Sequence, residues 1–151
     1  MENLKSSLAD MLVGAGIDSD GIEINPIYGG GNNRVVSVQT KAGKYLAKTY
    51  YSHPSDTRNR LAAEYAFLSY ALNIGLDCVP KPIFCDQKNN IGLYEFVEGR
   101  KLRNSELTQQ HIMEAASFIK GLNDRQDRDQ TLPTASEGCF SIERHFSIID
   151  E

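Results

Sequence analysis

Lys48 closes the run Tyr45-Leu46-Ala47-Lys48, and Glu64 stands 16 residues further on, inside RLAAEYAFLSYAL. An ammonium and a carboxylate at this interval form one charged unit if the first lies on a strand and the second on the helix that follows. Leu46 and Lys48 share a strand face, because strand side chains alternate. Leu61 lies three residues before Glu64 and Leu68 four after it, so the three share a helix face. A carboxylate on a packing stripe calls for a partner, and Lys48 is the cation on the preceding strand. At ~4 Å and an effective dielectric of ~20, two such charges attract by about 4 kcal/mol before desolvation. The chemistry open to the pair is the holding of phosphate oxygens by an ammonium whose direction the carboxylate sets. Two plainer readings stand beside it: a lysine snorkelling from a strand edge, and a solvated glutamate paired with Arg60, four residues before it.

A second feature could serve the same chemistry. YGGGNNR at 28–34 is the most glycine-dense segment of the chain. Glycine lets backbone N–H groups approach phosphate closely and adopt the dihedrals that doing so requires. The phosphate loop G-x-x-x-x-G-K-[ST] fails: Gly43-Lys44 is followed by Tyr45, and Val38 stands where its first glycine belongs. The dinucleotide fingerprint G-x-G-x-x-G starts at Gly29 and Gly31 but meets Arg34 at its last position, and a Val-rich alternating run follows instead of a helix. What remains is a loop between antiparallel strands, either roofing a nucleotide's phosphates or simply turning a Gly- and Asn-rich hairpin.

These residues need elements to place them. Residues 4–15 set Leu4, Leu8, Leu12 and Val13 on one helical side, and Gly14 and Gly16 stop the helix. From Ile22 the period becomes two: Val36 and Val38 face one way, Val35 and Ser37 the other. Lys41 to Lys44 is a turn, and Tyr45 to Tyr50 alternates again. After Pro54, Ser55, Asp56 or Thr57 can cap a helix bearing Leu61, Tyr65, Leu68 and Leu72, which Gly75 ends. PKPIFCD and IGLYEFVEG are two further strands about the turn at 87–90. Ser105 or Thr108 opens another helix, with Ile112, Ala115, Ile119 and Leu122 on one face. Asp124 to Asp129 reads as a solvated linker, and Phe140, Ile142, Phe146 and Ile149 form a last apolar pattern. The fold class is therefore α+β. About five antiparallel strands lie between residues 22 and 99, with one helix inserted after the third.

Composition narrows the possible functions. The chain has 151 residues, of which 40% are hydrophobic and 24% charged, with a net charge of −4. This suits a globular domain and not a disordered tail. The acidic balance excludes a protein that holds nucleic acid by bulk positive charge. No apolar run is long enough to span a membrane. Glu2 and Asp10 interrupt what an export signal would need, so a cytoplasmic protein is expected. Cys78, Cys85 and Cys139 form no C-x-x-C pair, and their odd number fits a reducing compartment, with Cys78 and Cys85 packed near strand ends. His111 and Glu114 make a poor metal site, and His111 is expected on a helix surface.

Taken together, GGGNNRVVSVQTKAGKYLAKTY, RLAAEYAFLSYALNIGLDCVPKPIFCD and LYEFVEGRKL resemble the N-terminal lobe of the aminoglycoside phosphotransferase and choline kinase group. These are small-molecule kinases with the protein-kinase-like fold. The 16-residue interval, the Val79-Pro80 turn and the Glu98-Gly99 pair all suit the group. The resemblance covers roughly residues 22–102 and runs more loosely through LPTASEGCFSIERHF. It implies three parts: a helical leader at 1–21, a nucleotide-binding lobe at 22–102, and from 103 to 151 a helical tail that starts a second lobe. It implies that Gly30, Gly31, Asn32 and Asn33 roof the phosphates of ATP, that Val35 and Leu46 cover the adenine, and that Lys48, oriented by Glu64, holds the α- and β-phosphates. Tyr94 would back the base pocket, while the Glu95 carbonyl and the Val97 N–H bond the adenine edge. By itself, LYEFVEG would also serve as an ordinary buried strand.

In this group the base and the Mg²⁺ ligands come from an H-x-D-x-x-x-x-N loop and a later Asp. His53, His111 and His145 are followed by Pro54-Ser55, Ile112-Met113 and Phe146-Ser147, so none opens such a loop. The expectation is the ATP-binding portion of a phosphotransferase that moves the γ-phosphate to a small-molecule hydroxyl, cut before its catalytic loop and inactive alone. It has no catalytic or metal-ligating residue of its own, and the acceptor and Mg²⁺ are bound through the second lobe. The alternative is a non-catalytic kinase-like module or gene remnant that self-associates through its exposed lobe interface.

Overall fold

The computed structural model describes residues 2–28, 33–54, 58–124 and 132–133. Helix α1 (Glu2–Gly14) is followed by β1 (Glu23–Ile27), β2 (Arg34–Gln39) and β3 (Lys44–Thr49), then α2 (Arg60–Asn73), β4 (Pro82–Asp86), β5 (Ile91–Glu95) and α3 (Gln109–Asn123). The strands form one sheet in the order β1-β2-β3-β5-β4, with every neighbouring pair antiparallel. This is the five-stranded α+β arrangement expected from the alternation of the sequence.

Register gives the sheet two distinct faces. Pro26, Val36, Ala47, Leu93 and Phe84 line up across the five strands. Val36, Ala47 and Leu93 pack with Val38, Ile22 and Ile91 against Leu8, Met11 and Leu12 of α1, forming the buried core. Leu8 and Leu12 are fully buried, as their spacing requires, but Val13 is 64% exposed and Met11 takes its place. The stripe keeps Leu8 and Leu12 and exchanges Val13 for Met11. Gly16 ends α1 in the left-handed region (φ 73°), with Ile17 N–H donating to the Leu12 carbonyl at 2.8 Å.

Residues on the other face alternate with the core residues: Ile27, Val35, Lys48, Gly92 and Cys85 in one row, Asn25, Ser37, Leu46, Tyr94 and Pro82 in the next. Helix α2 packs at β4 and β5, burying Leu61, Leu68 and Ala71. Its cap corrects the expectation. Ser55, Asp56 and Thr57 lie outside the described residues, and Asn59 is the N-cap, its Oδ1 accepting from Ala62 N–H at 2.9 Å. Thr108 does cap α3. His111 is part of that cap, its Nδ1 accepting from Thr108 N–H at 3.1 Å. The apolar side of α3 is uncovered by the described residues: Ile112 is 65% and Ile119 60% exposed. Cys78 is exposed and not packed as expected, because it lies in the turn before β4, while Cys85 is half-buried on the strand.

Candidate functional site

The alternation of β3 aims Lys48 away from α1, and the second turn of α2 brings Glu64 over the same face. Lys48 Nζ lies 2.5 Å from Glu64 Oε2. The lysine side chain is 21% and the glutamate side chain 37% exposed, so water reaches the pair. Partial exposure of this kind leaves the pair worth about 1 kcal/mol or less to stability. Its value is positional: one carboxylate oxygen fixes where the ammonium can go.

A second anchor lies beneath the ammonium. Tyr50, two residues on and therefore on the same side of the chain, places its ring centroid 4.7 Å from Lys48 Nζ. A cation over an aromatic face is attracted by the ring's quadrupole. The Tyr50 hydroxyl lies 2.7 Å from the Tyr94 hydroxyl, and either can donate. Both rings are buried, and Tyr65 stands 6.5 Å from Tyr94, tilted by 48°. Burial pushes the Tyr50 phenol well above its ordinary value, helped by the bond to Tyr94 and the nearby Glu64 charge. Burial also pushes Tyr94 up to about 12; Glu64 adds to this and the bond from Tyr50 works against it. Both stay neutral at physiological pH, so they give this site hydrogen bonds and not a base.

The strand end is held by asparagines. Tyr50 N–H donates to the Asn90 carbonyl at 2.9 Å, and Asn90 Nδ2 donates back to the Tyr50 carbonyl at 2.9 Å. Asn90 turns the chain from β4 into β5 at φ 55°, a value asparagine tolerates. Asn33 Oδ1 accepts from Tyr51 N–H at 3.1 Å, tying the start of β2 to the end of β3. Of the loop expected to roof phosphates, Gly30, Gly31 and Asn32 lie outside the described residues. Val35 and Leu46 are half-buried on the face that bears Lys48.

The segment after β5 continues along this face. Glu95 N–H donates to the Lys81 carbonyl at 2.8 Å, and Glu95 Oε2 accepts from Lys81 N–H at 3.2 Å, so Glu95 extends the β4–β5 pairing. Val97 is 62% exposed. Lys44, at the other end of β3, holds this strap with its Nζ 2.8 Å from Glu98 Oε1 and 3.8 Å from the Phe96 ring centroid. Beyond it Arg100 grips Glu106 through two bonds of 2.8 and 2.7 Å, which holds the Glu106 carboxyl below the usual carboxylate range.

Sequence reasoning missed Tyr50, Asn90, Gly92 and Lys44. The alternation that put Leu46 beside Lys48 also puts Tyr50 there, and a glycine inside a strand signals close approach. Lys44 gave no such signal, because its partners come from 52 and 54 residues away. Among the described residues no group of three or more His, Cys, Asp or Glu side chains is placed to hold a metal ion. None of their helices is long and apolar enough to cross a membrane.

No protein-family model and no curated protein matches the chain. In structure it is similar to a choline kinase from Cryptosporidium parvum Iowa II, with a TM-score of 0.59 and 21% sequence identity over 88% of this chain. The match covers 37% of that kinase, so the chain spans a little over a third of its length. The fold is thus that of a protein-kinase-like N-terminal lobe with a helical tail.

Proposed function

We propose that this chain is the ATP-binding portion of a phosphotransferase of the aminoglycoside phosphotransferase and choline kinase group, one that moves the γ-phosphate of ATP to a small-molecule hydroxyl. The observation that carries this reading is the 2.5 Å pair between Lys48 on β3 and Glu64 on α2, within a kinase-like lobe. Lys48 supplies the cation for the α- and β-phosphates, and Glu64 directs it. Gly30, Gly31, Asn32 and Asn33 form the roof. Val35 and Leu46 cover the base from the sheet, and Tyr94 closes the rear of the pocket. The Glu95 carbonyl and the Val97 N–H bond its edge, on the strap that Lys44 steadies. Residues 22–102 are the nucleotide-binding lobe, the leader at 1–21 braces its far face through α1, and residues from 103 begin the second lobe.

Mg²⁺ bound with the nucleotide would supply positive charge to neutralise the phosphates. In our reading Lys48 serves the phosphates, while the resemblance to small-molecule kinases assigns the metal's ligands and the acceptor site to a second lobe. A cytoplasmic location belongs to the same reading, since a reducing compartment keeps thiols such as those of Cys78 and Cys85 free. Titration calorimetry with Mg-ATP tests the reading. The chain binds ATP weakly, and Lys48→Ala lowers its affinity at least tenfold, since hydrogen bonds to charged groups are worth about 1.5–3 kcal/mol. Absence of heat at millimolar Mg-ATP refutes it.

A further inference from the structure

We infer that Tyr50 is a positioning residue for the Lys48 ammonium, anchored through its hydroxyl to Tyr94 in a space that glycine at 92 keeps open. The inference rests on the proposed nucleotide-binding reading and deepens it.

An ammonium on a four-carbon stem makes no directional demand of its own. The bond to Glu64 Oε2 fixes one contact and leaves the ammonium able to swing about it. The Tyr50 ring, with its centroid 4.7 Å from Nζ, occupies a second direction. With carboxylate and ring both in place, the free N–H groups are left for an anion arriving from a third side. The ring must be fixed for this to work, and three features fix it. Its backbone is bonded to Asn90 in both directions at 2.9 Å. It is only 4% exposed. Its hydroxyl bonds to that of Tyr94 at 2.7 Å.

Tyr94 reaches that hydroxyl by lying back over Gly92, its neighbour on the same face of β5. A Cβ at 92 would fall 2.6 Å from Tyr94 Cε2 and 2.7 Å from Cζ, distances at which one of them must move. Gly92 is also the β5 partner of Lys48 across the ladder. Gly92, Tyr94, Tyr50 and Lys48 therefore form one connected support. The neutral state of both phenols fits it, since an ionised phenol could no longer donate.

The test compares binding of Mg-ATP with binding of adenosine, which lacks phosphates. The full chain is used, with Lys48→Ala, Tyr50→Phe and Tyr50→Leu, each checked for folding by circular dichroism. Tyr50→Leu removes the ring and weakens Mg-ATP by roughly 2- to 30-fold, the range spanned by cation–π attraction. Tyr50→Phe weakens it less, because the ring remains but loses its tether. Adenosine affinity falls by a smaller factor than Mg-ATP affinity in both, so the ratio of the two affinities changes. A merely structural tyrosine would lower both affinities by the same factor, and that result overturns the inference, as does unchanged Mg-ATP affinity in Tyr50→Leu. If Tyr50→Leu does not fold, Tyr50→Phe decides: an unaltered ratio of the two affinities overturns the proposal. Failure of the underlying reading looks different. There the wild type binds no Mg-ATP, or Lys48→Ala costs nothing, and the inference falls with it.

Discussion

At position 92 the β5 strand carries no side chain, and the Tyr94 ring fills the space a methyl group would need. Gly92→Ala forces either strand or ring to shift. Overpacking of this kind typically costs about 1–3 kcal/mol, so urea unfolding of Gly92→Ala should show a loss of that size. The same tyrosines give stability a dependence on alkaline pH. In the unfolded chain a phenol titrates near ~10, whereas Tyr50 and Tyr94 are both raised in the folded protein. Their contribution is complete below pH ~10 and is lost as pH climbs from there through the raised folded values, because the unfolded state gives up protons that the folded state keeps. Melting temperature measured between pH 9 and 12 should fall, and Tyr50→Phe/Tyr94→Phe should flatten that slope. At this scale the sequence was readable where one rule sufficed. Strand alternation and helix spacing placed Lys48 and Glu64 toward each other. The Tyr50–Tyr94 bond was not readable, because alternation says which face a side chain takes and nothing about a partner 44 residues away.

Helix α2 matters to the site because it carries Glu64, and its first turn is secured by Asn59. The Asn59 side chain caps Ala62 N–H, and its Nδ2 donates to Gln87 Oε1 at 3.2 Å, fastening the helix start to the turn between β4 and β5. Asn59→Ala should cost about 1 kcal/mol in thermal or urea unfolding. On the proposed nucleotide-binding reading it should also weaken Mg-ATP slightly, as the turn before Glu64 frays. The position of this cap was hidden because Ser55, Asp56, Thr57 and Asn59 can all accept from a helix N-terminus. The choice is made by packing: the helix begins where Leu61 becomes fully buried. A similar ambiguity exchanged one residue in the stripe of α1. Met11 and Val13 both suit an apolar face beside Leu8 and Leu12, and Met11 is the one that joins the core.

For the whole molecule, the decisive union is between α1 and the sheet. Three α1 side chains, Leu8, Met11 and Leu12, supply the helical half of the core. Leu12→Ala should therefore cost about 2–5 kcal/mol, read by urea unfolding, a loss out of proportion for a leader helix. The sequence showed an amphipathic helix and a two-faced sheet, but periodicity cannot say which face a helix will cover. Polarity separates the two: α1 covers the side with Val36, Val38, Ala47 and Leu93, while the other carries Asn25, Ser37 and Lys48. A fold held by such periodic patterning tolerates wide divergence, which accords with 21% identity to a protein of the same architecture. The sheet is thus shared between two tasks by parity. Along β3, Tyr45 and Ala47 answer to folding under α1, while Leu46 and Lys48 stand on the opposite side. Inserting a single residue before Tyr45 would exchange these duties, turning the ammonium into the oily interior and the alanine toward the face that bears Glu64. The strand therefore has no spare register: its chemistry and its stability are locked to the same count of residues.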